Sequence, residues 1–367
     1  MPGELEQELT VAVSSTKRAL IAVVVLVLLV CGTMGIFLLH MHGMRGLHHQ
    51  MPPVSAGKPP DILSLLPPDA PVVIYLDAAT LRGLQGSPLA AVLGLTSPSP
   101  AQDRDYADFV RNTGFDYERD LDHAAIAFWP AGMATPANPL GDDRVLAVAD
   151  GRFNQQKIEA YALKSGRVET HGTQSFYEVP GNPRVAFEFL SSGQIAIASG
   201  KNADALLDVS NPLPRDPAMQ SRIDRVAGAP VFAVARMDNL PDNFYANFRS
   251  APQVDKFVRS IRALSLSGKP QSDGIFMALD AECDSTKNAF EISTLLDGLR
   301  LFGSMAISDP STRHQMTKEQ YTFAKDFLKH VEIAHQDKWV RVTLDITPEM
   351  LSAASAASSQ HAPAASH

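Results

Sequence analysis

DAPVVIYLDAATL, residues 69–81, aligns without gaps on GAPVFAVARMDNL, residues 228–240, with Ala70/Ala229, Pro71/Pro230, Val72/Val231 and Leu81/Leu240 identical. Each stretch carries a six-residue β-like run behind an Ala-Pro entry. A second pair follows in the same order: VLAVADGRFNQQKIEA (145–160) and IFMALDAECDSTKNAF (275–290) both read as strand, aspartate, helix. Asp150 and Asp280 close the strands, Asn154 and Asp284 occupy the expected N-cap positions, and Lys157 and Lys287 follow at the same spacing. A cap side chain that accepts free backbone N–H groups accounts for the Asn/Asp choice without an active site. Recurrence in the same order predicts two related α+β halves, 61–212 and 213–350.

Outward from these anchors, further β-like runs are HAAIAF (123–128), RVLAVA (144–149), VAFEFL (185–190), QIAIA (194–198), GIFMALD (274–280) and WVRVTLD (339–345). Ser192-Gly193 has turn chemistry between two of them and predicts an antiparallel hairpin, which argues against a purely parallel sheet. Helical spacing joins Val254, Phe257, Val258, Ile261 and Leu264, and again Tyr321, Ala324, Leu328 and Val331. Residues 287–307 read as a longer helix that Gly298 and Gly303 could bend, and Asp297 and Arg300 with a one-sided apolar face exclude a membrane span there. The fold class expected is α+β: largely antiparallel sheet with packed helices.

Ahead of the folded part, ALIAVVVLVLLVCGTMGIFLL (19–39) contains no charged side chain. As a helix it would cover roughly 31 Å, the thickness of a bilayer's hydrocarbon core. The run exceeds a signal-peptide core and exits into His40-Met41-His42 without a small-x-small cleavage site. Cys31 lacks the small residue that a lipidation signal needs before it. An uncleaved single-pass anchor in the inner (cytoplasmic) membrane is expected, with the lipid bilayer as partner through 19–39. Lys17 and Arg18 abut the run, while Arg45 and Lys58 lie farther off, so residues 1–18 are expected to be cytoplasmic and the remainder extracytoplasmic.

A formal net charge of −8 and the lack of a basic stripe exclude a nucleic-acid role, since a phosphate backbone would be repelled. Cys283 has no disulfide partner if Cys31 is in lipid, and is expected to be buried and inert. Residues 40–60 form a Gly/Pro-rich tether in which His40, His42, His48 and His49, with Met41, Met44 and Met51, are the candidate ligands for copper, nickel or zinc, although their spacing matches no closed site. The Ala/Ser-rich end, 351–367, is expected to be a disordered tail. No cofactor is expected.

Reactive constellations are sparse. Asp116, Glu118, Asp120 and Asp122 alternate, so an extended chain would set their carboxylates on one side for Ca²⁺, yet Leu121 and Ala127 stand where an EF-hand needs glycine and glutamate. His123 could act as a base beside Asp122, but neighbours in a strand point to opposite faces. His330 and His335 lack a third zinc ligand. Ser14-Ser15-Thr16-Lys17 matches S-x-x-K without its companion motifs, and Ser199-Gly200-Lys201-Asn202 and Ser267-Gly268-Lys269-Pro270 lack phosphate-loop spacing.

The N-terminal anchor followed by LLPPDAPVVIYLDAATL, DYADFVRNTGFDYERDLDHAAIAF and DGRFNQQKIEAYAL resembles a group of uncharacterised bacterial membrane-anchored proteins with a duplicated α+β extracytoplasmic domain. The resemblance implies location and architecture and supplies no catalytic residues. The function expected is a non-catalytic binding or scaffolding protein of unknown ligand, the options being an envelope protein, a cell-wall component or a small ligand. The alternative is an extracytoplasmic hydrolase whose residues converge only in three dimensions.

Overall fold

The computed structural model describes residues 57–82, 104–130, 143–171, 174–180, 184–200, 203, 207, 215–240, 245, 252–271 and 274–350. The expected span at 19–39, the tether histidines His40, His42, His48 and His49, Ser14 to Lys17 and the tail at 351–367 lie outside the described residues. Among the described residues, no helix is long and apolar enough to cross a membrane.

The chain is α+β, built on one large antiparallel sheet. In chain order its strands are β1 (Val72–Asp77), β2 (Leu121–Trp129), β3 (Arg144–Gly151), β4 (Arg167–His171), β5 (Gln174–Val179), β6 (Val185–Ser191), β7 (Gln194–Ser199), β8 (Val231–Arg236), β9 (Ile261–Gln271), β10 (Gly274–Cys283), β11 (Val331–Gln336) and β12 (Trp339–Ile346). Their spatial order is β11-β12-β10-β9-β8-β1-β2-β3-β7-β6-β5-β4. The helices are α1 (Ala78–Arg82), α2 (Arg104–Thr113), α3 (Tyr117–Asp120), α4 (Gln155–Ala162), α5 (Pro217–Asp224), α6 (Pro252–Arg259), α7 (Thr286–Ser308), α8 (Pro310–Gln315) and α9 (Lys318–His330).

The two strands whose sequences align, β1 and β8, pair with each other at the centre. Ile74 faces Ala233, while Val72 faces Ala235 and Leu76 faces Val231, so the register reads the same from either strand. Both ends of this ladder close alike: Asp77 N–H donates to the Pro230 carbonyl and Arg236 N–H to the Pro71 carbonyl, each at 2.7 Å. From this seam, β1-β2-β3-β7-β6 on one side matches β8-β9-β10-β12-β11 on the other, with β5 and β4 added to the first.

Smaller features match as well. Gly151 N–H donates to Gly193 O at 3.0 Å and Cys283 N–H to Lys338 O at 2.8 Å; Arg152 N–H reaches Asp120 O and Asp284 N–H reaches Ser260 O, both at 2.8 Å. Register slips fall at Leu121/His123 and at Glu282/Cys283. On these bonds the position matching Asp150 is Glu282, two residues beyond the Asp280 chosen by gapless alignment. β10 spans 10 residues and β3 spans 8, so aligning the starts of the strands misaligns their ends. The caps differ in the same way. Asn154 does cap α4, accepting from Lys157 N–H at 3.1 Å, but α7 is capped by Ser285 accepting from Asn288 N–H at 3.2 Å. Asp284 lies one residue outside the cap and accepts from the Asn288 side chain.

Alternation along the strands sends side chains to two covered faces. On one, Val73, Tyr75, Ala125, Leu146, Val148, Phe232 and Val234 lie under the 3-10 turn Asp61–Leu65 and α5, which contribute Ile62, Leu63, Met219 and Ile223. On the other, Ala149, Phe187 and Ile195 pack beneath Ile158 and Ala162 of α4, and Ala281, Cys283 and Val340 beneath Ala289 and Ile292 of α7. The helix expected to run through Leu264 stops at Arg259, because the Ser260 hydroxyl and N–H both bond the Phe257 carbonyl and close the last turn. Ile261 and Leu264 belong to β9 and still pack near Phe257. α7 runs unbroken through Gly298 and Gly303. A methyl group at Gly303 would sit 3.2 Å from Leu328 Cδ2, so this glycine lets α9 approach closely.

Cys283 is fully buried under α7, and burial first, then the charges of Asp284 and Glu282, push its thiol from 9.0 to about 11. Intact-protein alkylation with iodoacetamide at pH 8 should leave the Cys283 peptide unlabelled, with full labelling after unfolding; native labelling would contradict this packing. At the seam, Phe232→Ala should lower stability in urea unfolding by about 3–5 kcal/mol, because Phe232 is 1% exposed and fills the contact with Tyr75.

Candidate functional site

Four strands set one side chain each at a common register. Asp77 of β1 faces His123 of β2, His123 faces Asp150 of β3, and Asp150 faces Gln194 of β7. Directly paired residues in an antiparallel sheet project to the same side, so the four form a row. His123 Nε2 lies 3.8 Å from Asp77 Oδ1, and its Nδ1 lies 3.9 Å from Asp150 Oδ2. Both gaps exceed hydrogen-bond length. The imidazole also stacks on Tyr75 at 6.3 Å between ring centroids, and burial first, then the charges of Asp77 and Asp150, push the Tyr75 phenol up to about 12.

Both carboxylates already serve the fold. Asp77 accepts from Thr80 N–H at 2.8 Å and from the Thr80 hydroxyl at 2.7 Å, which starts α1. Asp150 accepts from Gln194 Nε2 at 2.7 Å. The His123 side chain is 39% exposed, against 22% for Asp77 and 33% for Asp150, so the row is half-buried at the surface of the sheet. It can take a hydrogen-bonding or charged group from solution, while the exposed setting offers little exclusion of water for general-base chemistry.

The residues named from sequence separate in space. Asp122 projects away from its neighbour His123 and pairs with Arg82 at 2.8 Å, as strand alternation requires. Tyr117–Asp120 is helical, not extended, so the four carboxylates expected to share a side diverge. Asp116 caps α3 by accepting from Glu118 N–H, and Asp120 is held by Arg119 and Arg152. His330 Nδ1 contacts the Asp326 carbonyl at 2.8 Å, whereas His335 Nδ1 meets Ser293 Oγ at 3.1 Å under α7. Ser267 to Pro270 lie within β9 and form no loop. Among the described residues, no group of three or more His, Cys, Asp or Glu is arranged to hold a metal ion. An open cleft of about 620 Å³ lies at the start of α4, lined by Phe153, Asn154, Gln155, Gln156 and Glu159.

Sequence reasoning missed the charged block on the other side of the seam. The matched row there runs Arg236, Ala263, Glu282, Trp339. Glu282 accepts from Arg222 Nε of α5 at 2.7 Å and from Lys338 Nζ at 2.6 Å. Burial would raise its carboxyl, yet the bonds from Lys338 and Arg222 outweigh that and hold it below its ordinary value. Two residues back, Asp280 takes a bidentate contact from Arg341 at 2.5 and 2.6 Å, and the Arg225 guanidinium stacks over Trp339 at 4.0 Å. The signal was present only as scattered basic residues in α5 and at the β11–β12 turn, because no local spacing joins them to β10.

Arg222→Ala should destabilise the chain by about 3–5 kcal/mol in urea unfolding, because it leaves Glu282 buried beside only one cation, and the double change Arg222→Met/Glu282→Met should recover most of the loss. Asp120, pulled from 3.8 to about 2 chiefly by the Arg119 hydrogen bond, contributes stability above pH ~4 that is lost as pH falls towards ~2. Asp120→Asn should flatten the acid limb of the stability profile in that window.

Comparison with family models and with curated proteins gives no match. Among solved structures, crystal form I of TP0453 superposes with a TM-score of 0.41 at 11% identity, covering 82% of this chain and 98% of that one. Crystal form IV of TP0453 gives 0.43 at 11% identity, covering 80% and 95%.

Proposed function

We propose that this chain is a non-catalytic binding or scaffolding protein, anchored in the inner membrane by residues 19–39 and presenting its folded part, 61–350, on the extracytoplasmic side. The observation that carries the binding reading is the row Asp77, His123, Asp150: its carboxylates are committed to structural hydrogen bonds while the imidazole between them remains 39% exposed. Such a row suits recognition by charge and hydrogen bonding better than proton transfer in a closed pocket. The anchor is supported by the uncharged 19–39 run, and the orientation by Lys17 and Arg18 before it. Two related halves, 61–212 and 213–350, are supported by the self-matching β1–β8 register, the matched strand order and the matched backbone bonds on either side of it.

Proximity labelling from a tag placed after residue 350, in the native membrane, should mark envelope proteins. Exclusively cytoplasmic neighbours would reverse the orientation. A purified full-chain screen with ester, peptide and glycan substrates should show no turnover that His123→Ala removes; turnover abolished by that change would make the chain a hydrolase and end the non-catalytic reading.

A further inference from the structure

The two halves of α7 are spent differently. In the first, Ala289, Ile292 and Leu296 pack on the sheet, while Lys287 and Glu291 pair at 3.8 Å on the outer side. In the second, GLRLFGSMAI (298–307), the one charge is Arg300, and Asp297 holds it at 2.9 Å. Leu299 faces inward at 3% exposure, whereas Leu301 and Met305 on the outer side keep 46% and 73%. A side chain at Gly298 would meet nothing within 4 Å, so the outer face is open as well as apolar. Among the described residues Met305 is the most exposed large hydrophobic side chain. A paired stripe of this kind marks a contact surface rather than scattered surface residues.

This end of α7 lies where the chain enters the folded part. The Gly57 backbone packs against Gly228, just ahead of β8. Across the sheet from there, Val231 faces Gly268, Gly268 faces Met277, Met277 faces Leu344, and Leu344 faces Val331. Val331 directly follows α9, whose Leu328 lies against Gly303 of α7. Residue 57 and the exposed turns of α7 therefore share one end of the sheet. The uncharged run stops at Leu39, so residues 40–56 can hold that end no farther than about 60 Å from it.

We infer that the outer face of α7 at Leu301 and Met305 rests in the headgroup interface of the same bilayer that residues 19–39 enter, so that the folded part lies against the membrane instead of hanging free. This rests on the anchored reading above. The helix lies on the surface and does not cross it, since Asp297 and Arg300 are built into it and no described helix is long and apolar enough to span. Two apolar side chains would bind lipid too weakly to recruit a free domain. A short tether changes that, because it raises the local concentration of the face at the bilayer to the millimolar range. Charge agrees with an anionic surface: Arg313 and Lys318 follow at exposed positions, and the intervening Asp309 is committed to capping α8.

The test uses the full chain carrying Cys31→Ser, reconstituted in vesicles of phosphatidylethanolamine and phosphatidylglycerol, with a nitrobenzoxadiazole dye on Leu301→Cys or Met305→Cys. Val168→Cys is the control, because Val168 is also half-exposed but sits on β4 at the far edge of the sheet. Spin-labelled lipid should quench the dye at 301 and 305 about twofold or more and leave the dye at 168 unchanged. Met305→Glu, at a position too exposed to disturb folding, should remove the quenching at 301 without altering co-flotation of the chain with the vesicles. Quenching at 301 and 305 no greater than at 168, in a chain that still co-floats, overturns the inference and leaves the anchored reading standing. A chain that fails to co-float ends both. Cross-linking between copies through Met305→Cys, in detergent as in vesicles, assigns the face to a second copy of the chain and overturns the lipid contact.

Discussion

The antiparallel pairing of β1 with β8 is the constraint on which the rest of the molecule depends. Each strand presents to the other an edge that would otherwise be an unpaired row of N–H and C=O groups. Their register is self-matching about Ile74 and Ala233, as in a two-fold interface where residue i meets j and j meets i. Among the described residues, that one ladder joins five strands on one side to seven on the other into a continuous sheet. It also puts Phe232 against Tyr75 and brings the 3-10 turn and α5 over one shared core. Without it, the apolar faces of β1 and β8 would lose their common cover.

The same seam organises the charges. Cross-strand pairing places polar side chains in rows, and each row must be satisfied by whatever covers it. On the β8 side α5 brings Arg222 and Arg225, so Asp280 at 2% exposure and Glu282 are sealed with partners of opposite sign. A buried carboxylate tolerates that position only because its bonds compensate for lost water. On the β1 side the covering turn brings Ile62 and Leu63, which extend the apolar core, and the acids at the row's end stay near solvent. The difference is local to the two rows: Glu282 is enclosed by cations, while Asp77 and Asp150 keep partial contact with solvent.

Much of the sheet was legible in the sequence. VVIYLD and VFAVAR match β1 and β8 residue for residue, and the Ser192-Gly193 turn does join β6 to β7. These strands read clearly because their apolar residues are consecutive or alternate, and turn residues bound them. β4, β5, β9 and β11 were not picked out. RVETH and VEIAHQ are short and largely polar, and IRALSLSGKPQ contains Gly268 and Pro270, so only neighbouring strands make them sheet. The apolar spacing of Val254 to Leu264 fits a helix throughout, yet Ser260 ends it, because a closing hydroxyl bond is a three-dimensional event. Of the candidate site, the sequence offers His123 beside Asp122, a pair that strand alternation already separates. Its true neighbours Asp77 and Asp150 are 46 and 27 positions away in the chain and adjacent only through strand pairing.

By itself the sequence determined what local chemistry can write: which runs become strands, where Asn154 caps a helix, the acidic net charge, and the uncharged stretch at 19–39. Those features depend on side-chain periodicity and on neighbours within a few residues. Only the tertiary structure decided which strands adjoin, that Glu282 and not Asp280 matches Asp150, and that Glu282 is sealed by Arg222 and Lys338 while Asp77 and Asp150 keep partial contact with solvent. Register and burial arise from contacts between distant segments, and a difference of two residues in strand length, invisible to local pattern, is enough to change which carboxylate meets which cation.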